Sequence, residues 1–358
     1  MVQVLNVGDS SVQLLSGTCL GLAHPHAEVG VFNPMGVGTE LEKDELDEYE
    51  DELQGGREPD TELPNVEKLR EKVGGLTHLT EKQREQVLKL LIEHQDIFAI
   101  NPNAPPSANV EPHVIQEVAG SRPVYAHGYR MNPKKSAELE RQVKEKVEAG
   151  LVVPVRSAYA SPVVLVKKPD GSFRFTCDYR KLNAQTIPDR HPLPRIDDLL
   201  AQLGGNQFFT CLDLSSGFFQ IPLDKDSVLK TAFQTPGGLY AWKRMPQGLT
   251  NAPAAFQRAM AACLSGLTGS EALVYLDDVC VFSKDFESHV RSLRRVFGRL
   301  QADGFSLKLK KCQFFQEECT YLGHIVTRQG TKPHPKNVAA VRDFPEPHGT
   351  DKQKVQHS

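Results

Sequence analysis

The sequence predicts an α+β fold whose strands and helices do not repeat in a fixed order. Between residues 111 and 330, short segments rich in β-branched and aromatic residues alternate irregularly with segments of helical spacing. A doubly wound sheet would show a regular strand–helix–strand rhythm, and none is present. Two pairs of the strand-like segments flank short polar turns, which indicates antiparallel hairpins.

A helical stretch comes before this region. Residues 66–99 carry apolar residues at helical spacing, and Thr80 is the expected N-cap of the segment EKQREQVLKLLIEH. The proline-rich string NPNAPPSAN then interrupts any regular structure. Residues 40–62 carry twelve acidic and two basic residues, a composition typical of a disordered linker.

Length and composition limit the class of protein. The 358 residues suffice for two or three domains, or for one large core with extensions, and 39% of them are hydrophobic. No apolar run approaches the roughly 20 residues of a membrane span. The start, MVQVLNVGDSS, has no basic segment followed by a hydrophobic one, so no secretory signal is expected.

The seven cysteines form no CxxC pair. Cys312, Cys319 and His324 suggest a zinc site, but their spacing fits no common one. Free or structural thiols in a reducing compartment are the favoured interpretation.

The net charge of −3 hides a separation of charge along the chain. Residues 122–195 carry fifteen basic and seven acidic residues, and residues 284–354 carry fourteen and eight. Basic surface can therefore be local, and the total charge does not argue against a polyanionic partner. Lysines and arginines are also common on any solvated surface, so charge alone does not decide this question.

Acidic residues lie where strand-like segments predict burial. Asp277 and Asp278 interrupt the apolar run ALVYLDDVCVF, and Asp213 lies between Leu212 and Leu214. The simpler interpretation of the two adjacent aspartates is a solvent-exposed hairpin turn. The simpler interpretation of Asp213 is a carboxylate at the end of a strand. Three carboxylates at strand ends are also the ligands needed to hold two divalent cations for phosphoryl transfer.

Two further segments carry candidate binding residues. Val163–Val166 and Phe173–Cys177 are predicted strands around the turn Pro169-Asp170-Gly171, which Lys168 and Arg174 flank. Two such cations can hold a triphosphate, although basic hairpin tips are common. In RMPQGLTNAPAAFQRAM, Gln247 precedes a helix that Thr250 or Asn251 can cap. Gln247 is either a nucleotide contact or part of an ordinary capped helix.

The motifs VKKPDGSFR, LDLSSGFFQ, MPQGLTNAPAAFQ, YLDD and YLGH follow one another in this order. This series resembles the reverse transcriptase family, specifically that of gypsy-type long-terminal-repeat retrotransposons, from about residue 111 to 345. The resemblance implies right-hand polymerase fingers and palm subdomains, with an antiparallel palm sheet and helices on one of its faces. It also implies an RNA-directed DNA polymerase, a nucleotidyltransferase that extends a primer with deoxynucleotides.

The resemblance assigns the catalytic and metal-binding roles of this family to Asp213, Asp277 and Asp278. They would hold two Mg²⁺ ions, with Mn²⁺ as the alternative, during attack of the primer 3′-hydroxyl on the α-phosphate. Phe218 falls at the position of the aromatic residue that excludes a ribose 2′-hydroxyl. Many relatives have Tyr there, and Phe keeps the ring without the phenol.

The resemblance assigns substrate binding to a second group. Lys168 and Arg174 would hold the triphosphate, and Gln247 would contact the incoming nucleotide. The segment that grips the primer end would be Leu322, Gly323 and His324.

Domain boundaries and partners follow from the same resemblance. We expect a post-protease remnant at 1–39, an acidic disordered linker at 40–64, a helical connector at 65–110, fingers and palm at 111–330, and a truncated start of the thumb at 331–358. The partners would be an RNA or DNA template with primer and deoxynucleoside triphosphates, with no membrane. Ribonuclease H and integrase regions of the same polyprotein would serve DNA integration.

Two functional hypotheses agree with these features of the sequence. The first is an active polymerase inside the cell, in cytoplasmic virus-like particles, with a nuclear phase as an open alternative. The second is a truncated retroelement remnant that lacks catalysis and at most binds nucleic acid. Intact motifs favour the first hypothesis, and the expected truncation of the thumb favours the second.

Overall fold

The computed structural model describes residues 66–98, 104–168 and 171–335. The expected remnant at 1–39, the linker at 40–64 and most of the expected thumb segment at 331–358 lie outside these residues. In the described part, the chain forms an α+β fold with three sheets. Among the described residues, no helix is both long and apolar enough to cross a membrane.

The helices, in chain order, are α1 Val66–Gly74, α2 Glu81–Glu93, α3 Pro133–Glu148, α4 Arg180–Gln185, α5 Ile196–Ala201, α6 Lys225–Lys230, α7 Ala252–Cys263 and α8 Phe286–Ala302. Single 3₁₀ turns lie at Gln95–Ile97 and Gly217–Gln220. The strands are β1 Val152–Pro154, β2 Ser161–Lys167, β3 Phe173–Cys177, β4 Phe208–Asp213, β5 Phe233–Thr235, β6 Gly238–Trp242, β7 Ala272–Tyr275, β8 Asp278–Ser283, β9 Gln313–Gln316, β10 Glu318–Tyr321, β11 His324–Thr327 and β12 Gly330–Pro333.

The predicted helix cap at Thr80 is confirmed. The Thr80 side chain accepts a hydrogen bond from the Gln83 amide, and the Gln83 side chain accepts one from the Thr80 amide. This reciprocal capping box satisfies donors that a helix start leaves unpaired. The second expected cap differs, because Asn251 precedes α7 without capping it. Its side chain instead bonds the backbone of Ile187 and Asp189.

A four-stranded antiparallel sheet, in the order β7-β8-β4-β9, lies at the centre of the fold. Alternate residues point to opposite faces of each strand. Val279 and Val281 join the larger core, whereas Cys280 and Phe282 join a second, smaller one. Helices α7 and α8 cover the first face. Helix α5 and the β10-β11-β12 sheet contribute residues to the core on the other face.

The second large sheet has the order β1-β6-β5-β2-β3. Its strands pair antiparallel except for β2 and β5, which pair in parallel. Helix α3 packs against β1 and β3. The hairpin β2–β3 matches the predicted strands, and its turn includes residues 169–170, which lie outside the described ranges.

The helical segment 66–98 shares the larger core with the central sheet. Phe98 makes edge-to-face contacts with Phe297 of α8 and with Phe314 of β9. His94 Nδ1 lies 3.0 Å from Gln301 Oε1. Because Phe98 is buried between α8 and β9, the end of this segment supports the sheet on which the acidic residues lie.

Candidate active site

The three predicted carboxylates meet at one end of the central sheet. Asp213 ends β4 and Asp278 begins β8, and the two residues are direct partners across the antiparallel pair. Asp277 lies in the turn just before Asp278, and its carbonyl oxygen lies 3.5 Å from the Leu214 amide nitrogen. All three side chains keep access to solvent, so a substrate can reach them.

The turn of the acidic hairpin differs from the expected one. Tyr275 pairs with Asp278, so the two loop residues are Leu276 and Asp277 rather than the two aspartates. Leu276 has a φ of +53°, a left-handed conformation that costs a non-glycine residue about 1–2 kcal/mol. The turn therefore displaces Asp277 from the strand and leaves Asp278 within the ladder.

A buried glutamine of α7 stabilises this unfavourable turn. Gln257 Oε1 accepts a hydrogen bond of 2.8 Å from the Leu276 amide, and its Nε2 donates one of 3.3 Å to the Val274 carbonyl. Its side chain thus satisfies one backbone group in β7 and one in the turn itself. No pattern in the sequence singled out Gln257, although it belongs to the MPQGLTNAPAAFQ motif.

The carboxylates repel one another, and a lysine partly offsets their charge. The pKa of Asp278 is raised to about 6, first by burial of its carboxyl group and then by the negative charges of Asp277 and Asp213. Lys311 opposes this rise, and its Nζ lies 2.8 Å from Asp213 Oδ2. The sequence reasoning missed Lys311, because its position depends on the segment that follows α8.

The segment after Asp213 packs tightly against the acidic turn. A Cβ atom at Gly217 would lie 2.9 Å from Phe256 Cζ and 3.4 Å from Asp277 Cβ, so only glycine fits there without displacement. Phe218 follows, half-buried, with its ring edge-to-face on Phe256 at 5.4 Å. The structure thus fixes the Phe218 ring on the segment that contacts Asp277.

The candidate triphosphate residues lie on the β2–β3 hairpin. Arg174 pairs with Val166, and Lys168 continues the same register through its backbone bond to Ser172. Because side chains alternate along a strand, Lys168 and Arg174 project from one face of the hairpin. Both are exposed, and the Arg174 guanidinium donates a hydrogen bond to Gln247 Oε1.

The turn that carries Gln247 is tied to helix α4 and to the chain segment that follows Phe218. Asn183 of α4 donates to the Gly248 carbonyl and accepts from the Thr250 amide. The Met245 amide donates to the Ile221 carbonyl at 2.9 Å. The Asn183 side chain therefore connects the Gln247 turn to α4, and the Met245 backbone bond connects it to the chain that follows Phe218.

The predicted primer-grip residues form the β10–β11 turn. Leu322 and Gly323 have φ values of +48° and +75°, the pattern of a two-residue type I′ hairpin. His324 begins β11 and pairs with Tyr321. Leu322 and Tyr275 both pack against the smaller core. The β10–β11 turn therefore lies on the face of the central sheet that Tyr275 also contacts.

In the described part of the chain, Cys312, Cys319 and His324 do not come together as a zinc site. Cys312 is buried with its Sγ 3.5 Å from the Lys308 carbonyl oxygen. Cys319 belongs to a different group of thiols, in the smaller core. All the described cysteines are free, in agreement with the favoured interpretation.

Comparison with known proteins identifies this arrangement. Residues 166–326 match the family model described as reverse transcriptase (RNA-dependent DNA polymerase). That range includes all three carboxylates and all of the candidate substrate and primer-grip residues. This part of the chain belongs to the reverse transcriptase family.

The chain is related to Pol polyproteins of gypsy-type retrotransposons. It is 41% identical over 277 residues to the retrovirus-related Pol polyprotein from transposon 297 of Drosophila melanogaster, which covers 76% of this chain and 26% of the relative. The corresponding polyprotein from transposon gypsy is 38% identical over 263 residues, 72% of this chain and 25% of the relative. The chain thus spans about a quarter of the length of these curated relatives.

Solved structures support the same fold. The foamy viral protease-reverse transcriptase in complex with an RNA/DNA hybrid has a TM-score of 0.72 and 25% identity, and the match covers 80% of this chain and 38% of that one. A form of that protein in complex with double-stranded DNA has a TM-score of 0.72 and 26% identity, over 80% and 50% of the two chains. The expected fingers and palm architecture is confirmed.

Proposed function

We propose that the chain is an RNA-directed DNA polymerase that extends a primer on a nucleic-acid template during retrotransposon replication. The convergence of Asp213, Asp277 and Asp278 at one end of the central sheet carries the proposal. The foamy viral relatives bind double-stranded DNA and an RNA/DNA hybrid, which supports a primer–template duplex as the partner here. In a full-length element, ribonuclease H and integrase regions of the same polyprotein would be further partners, and we place the activity in cytoplasmic particles.

The three carboxylates are assigned as ligands of two Mg²⁺ ions, with Mn²⁺ as the alternative. Carboxylate oxygens are the hard ligands that these ions prefer. The Lys311 ammonium on Asp213 supports the fit, because it shows that this carboxylate takes a positive partner. Bound there, the ions would stabilise the negative charge that develops during in-line phosphoryl transfer.

The side chains around the carboxylates orient the reactants. Lys168 and Arg174 bind the triphosphate of the deoxynucleotide, and Gln247 orients both Arg174 and the nucleotide. The β10–β11 turn holds the primer end toward the acidic hairpin. The bond that forms joins the primer O3′ to the α-phosphorus, and the bond that breaks releases pyrophosphate.

Addition of one deoxynucleotide to a primer on an RNA template tests this function. The chain is kept in excess over primer–template, so that weak duplex affinity does not limit the reaction. Asp277→Asn should lower the rate at least about 1,000-fold, because a cation ligand supports several kcal/mol of charge stabilisation. Asp285→Asn is the matched control, since Asp285 caps α8 and asparagine also caps helices.

Each outcome of this experiment is informative. An Asp277→Asn rate close to that of the wild type would overturn the carboxylate assignment. Absence of addition by the wild type, with duplex binding retained, would support the remnant that only binds nucleic acid.

The choice of sugar is assigned to Phe218. Its ring is fixed against Phe256 and borders the acidic turn through Gly217. Phe218→Val should raise the kcat/KM for ribonucleotides relative to deoxynucleotides about tenfold, because the smaller side chain leaves room for a 2′-hydroxyl. Phe219→Val is the control, since Phe219 stacks on Trp242 instead. An unchanged ratio in Phe218→Val would remove this residue from the site.

A further inference from the structure

Three cysteine side chains meet in the smaller core, behind the strands that carry the carboxylates. Cys211 lies on β4, Cys280 lies directly opposite it on β8, and Cys319 lies on β10. Their Sγ atoms all lie within 4.8 Å of one another, and all three thiols are free. Cys280 and Cys319 are buried, whereas Cys211 is half-buried, so the cluster can be reached at Cys211.

This spacing suits a metal ion bound by sulfur. With metal–sulfur bonds of about 2.3 Å, three thiolates around one Zn²⁺ ion lie roughly 4 Å apart. Small rotations of the side chains would therefore bring the three sulfur atoms into position. Soft thiolate ligands select Zn²⁺ and related ions over Mg²⁺, so the cluster would not compete with the carboxylates for their ions.

A second observation is that this core contains a buried polar group without a hydrogen-bond partner. Tyr321, which belongs to the same core cluster as Cys280 and Cys319, has a buried hydroxyl without a hydrogen-bond partner. Buried tyrosine hydroxyls usually find a partner, and an orphaned one requires an explanation such as an ion or a water molecule.

We propose that Cys211, Cys280 and Cys319 form a three-thiolate site for Zn²⁺, with the fourth position open toward solvent at Cys211. Each ligating thiol releases its proton to solvent as its sulfur binds the ion. Three protein ligands with one open position is an arrangement that zinc adopts in proteins.

The site would join two parts of the molecule. Cys211 and Cys280 each lie two residues from a candidate catalytic carboxylate, and Cys319 lies three residues before Leu322. A bound ion would therefore fasten the β10–β11 turn to β4 and β8. This role concerns the rigidity of the primer-grip segment and is separate from the phosphoryl transfer itself.

Titration with Cd²⁺ tests the proposal, because Cd²⁺ bound to thiolates absorbs ultraviolet light and Cd²⁺ bound to carboxylates does not. The full chain is reduced with a phosphine and held in excess Mg²⁺. We expect one Cd²⁺ ion per chain and at least tenfold weaker binding in Cys319→Ser. Cys263→Ser, at a buried cysteine outside the cluster, should bind like the wild type.

A second measurement covers the case in which Cys319→Ser does not fold. In the wild type, Cd²⁺ should slow alkylation of Cys211 at least tenfold, as located by mass spectrometry of peptides. An unchanged alkylation rate, or equal Cd²⁺ absorption in a folded Cys319→Ser chain, would overturn the proposal. Neither readout requires polymerase activity, so the result is independent of the proposed function.

Discussion

The acidic hairpin β7–β8 and the basic hairpin β2–β3 both present site residues at a turn, but different contacts hold them. The acidic turn is fixed from outside by Gln257, and Gly217 packs against it. The basic hairpin closes through backbone bonds from the Lys168 amide to the Ser172 carbonyl and from the Gly171 amide to the Lys168 carbonyl, and its cations lie on long exposed side chains.

This difference matches what each turn would do in the proposed reaction. Carboxylates that hold cations must keep their positions to a fraction of an ångström. Cations that hold a triphosphate can adjust, because long side chains adapt to a flexible ligand and the charge acts over distance. The contacts that hold a turn in place are thus found at the acidic hairpin, where they include a side chain from a separate helix.

Among substitutions that keep all three carboxylates, the largest expected effect comes from loosening the acidic turn. Gln257→Met should lower kcat for nucleotide addition by about 10- to 100-fold with little change in KM, because Leu276 and Val274 lose their partner and the carboxylates shift. Pre-steady-state addition rates over a range of nucleotide concentrations separate the two parameters. A raised KM with an unchanged kcat would contradict the positioning role of Gln257.

The matched control for this variant is Gln142→Met. Gln142 is also a buried glutamine on a helix, and it donates to the Phe173 carbonyl in the other large sheet. Its loss should lower the free energy of unfolding by about 1–3 kcal/mol. A drop in kcat equal to that of Gln257→Met would mean that general destabilisation explains both.

The acidic hairpin also shows where sequence reasoning is sufficient and where it fails. Asp213, Asp277 and Asp278 were found because charged residues inside apolar strands are costly without a partner. The turn was misplaced by one residue, because leucine rarely adopts a positive φ. The hydrogen bonds of Gln257 stabilise that conformation at Leu276, and no local pattern in the sequence shows them.

Contacts between distant segments could not be predicted from the sequence either, because no local pattern indicates them. Lys311 reaches Asp213 across 98 residues of chain, and nothing in its immediate surroundings distinguishes it from Lys310. The cluster of Cys211, Cys280 and Cys319 depends on the registry of two sheets. By contrast, the β2–β3 strands and the Thr80 cap were predicted correctly, because they depend on neighbouring residues alone.

A smaller effect is expected at the basic hairpin. Arg174→Ala should raise the KM for deoxynucleotides about tenfold while kcat changes less, since a lost charge-assisted hydrogen bond costs about 1.5–3 kcal/mol. Arg141→Ala is the control, because Arg141 is an exposed arginine of α3 that pairs with Glu138. If Arg174→Ala lowered kcat as strongly as Gln257→Met does, the contrast between the two hairpins would fail.

The smallest effect on catalysis is expected beneath the sheet, at His289 of α8. Its ring is buried, with Nε2 2.8 Å from Thr210 Oγ1, and burial lowers its pKa from 6.5 to about 3. Between these values the unfolded chain binds a proton that the folded chain does not, so stability falls as the pH decreases below 6.5. From pH 7 to pH 5, this histidine should reduce the free energy of unfolding by about 2 kcal/mol.

Urea unfolding of His289→Gln at the two pH values measures this contribution. The variant should be less stable than the wild type at pH 7, because it repacks a buried site, but it should lose about 2 kcal/mol less on acidification. His127→Gln, at an exposed histidine, should keep the pH dependence of the wild type. At pH 7, folded His289→Gln should extend primers at a rate close to that of the wild type, since the ring supports β4 without touching the carboxylates. An unchanged pH dependence in His289→Gln would show that this ring is not held neutral by the fold.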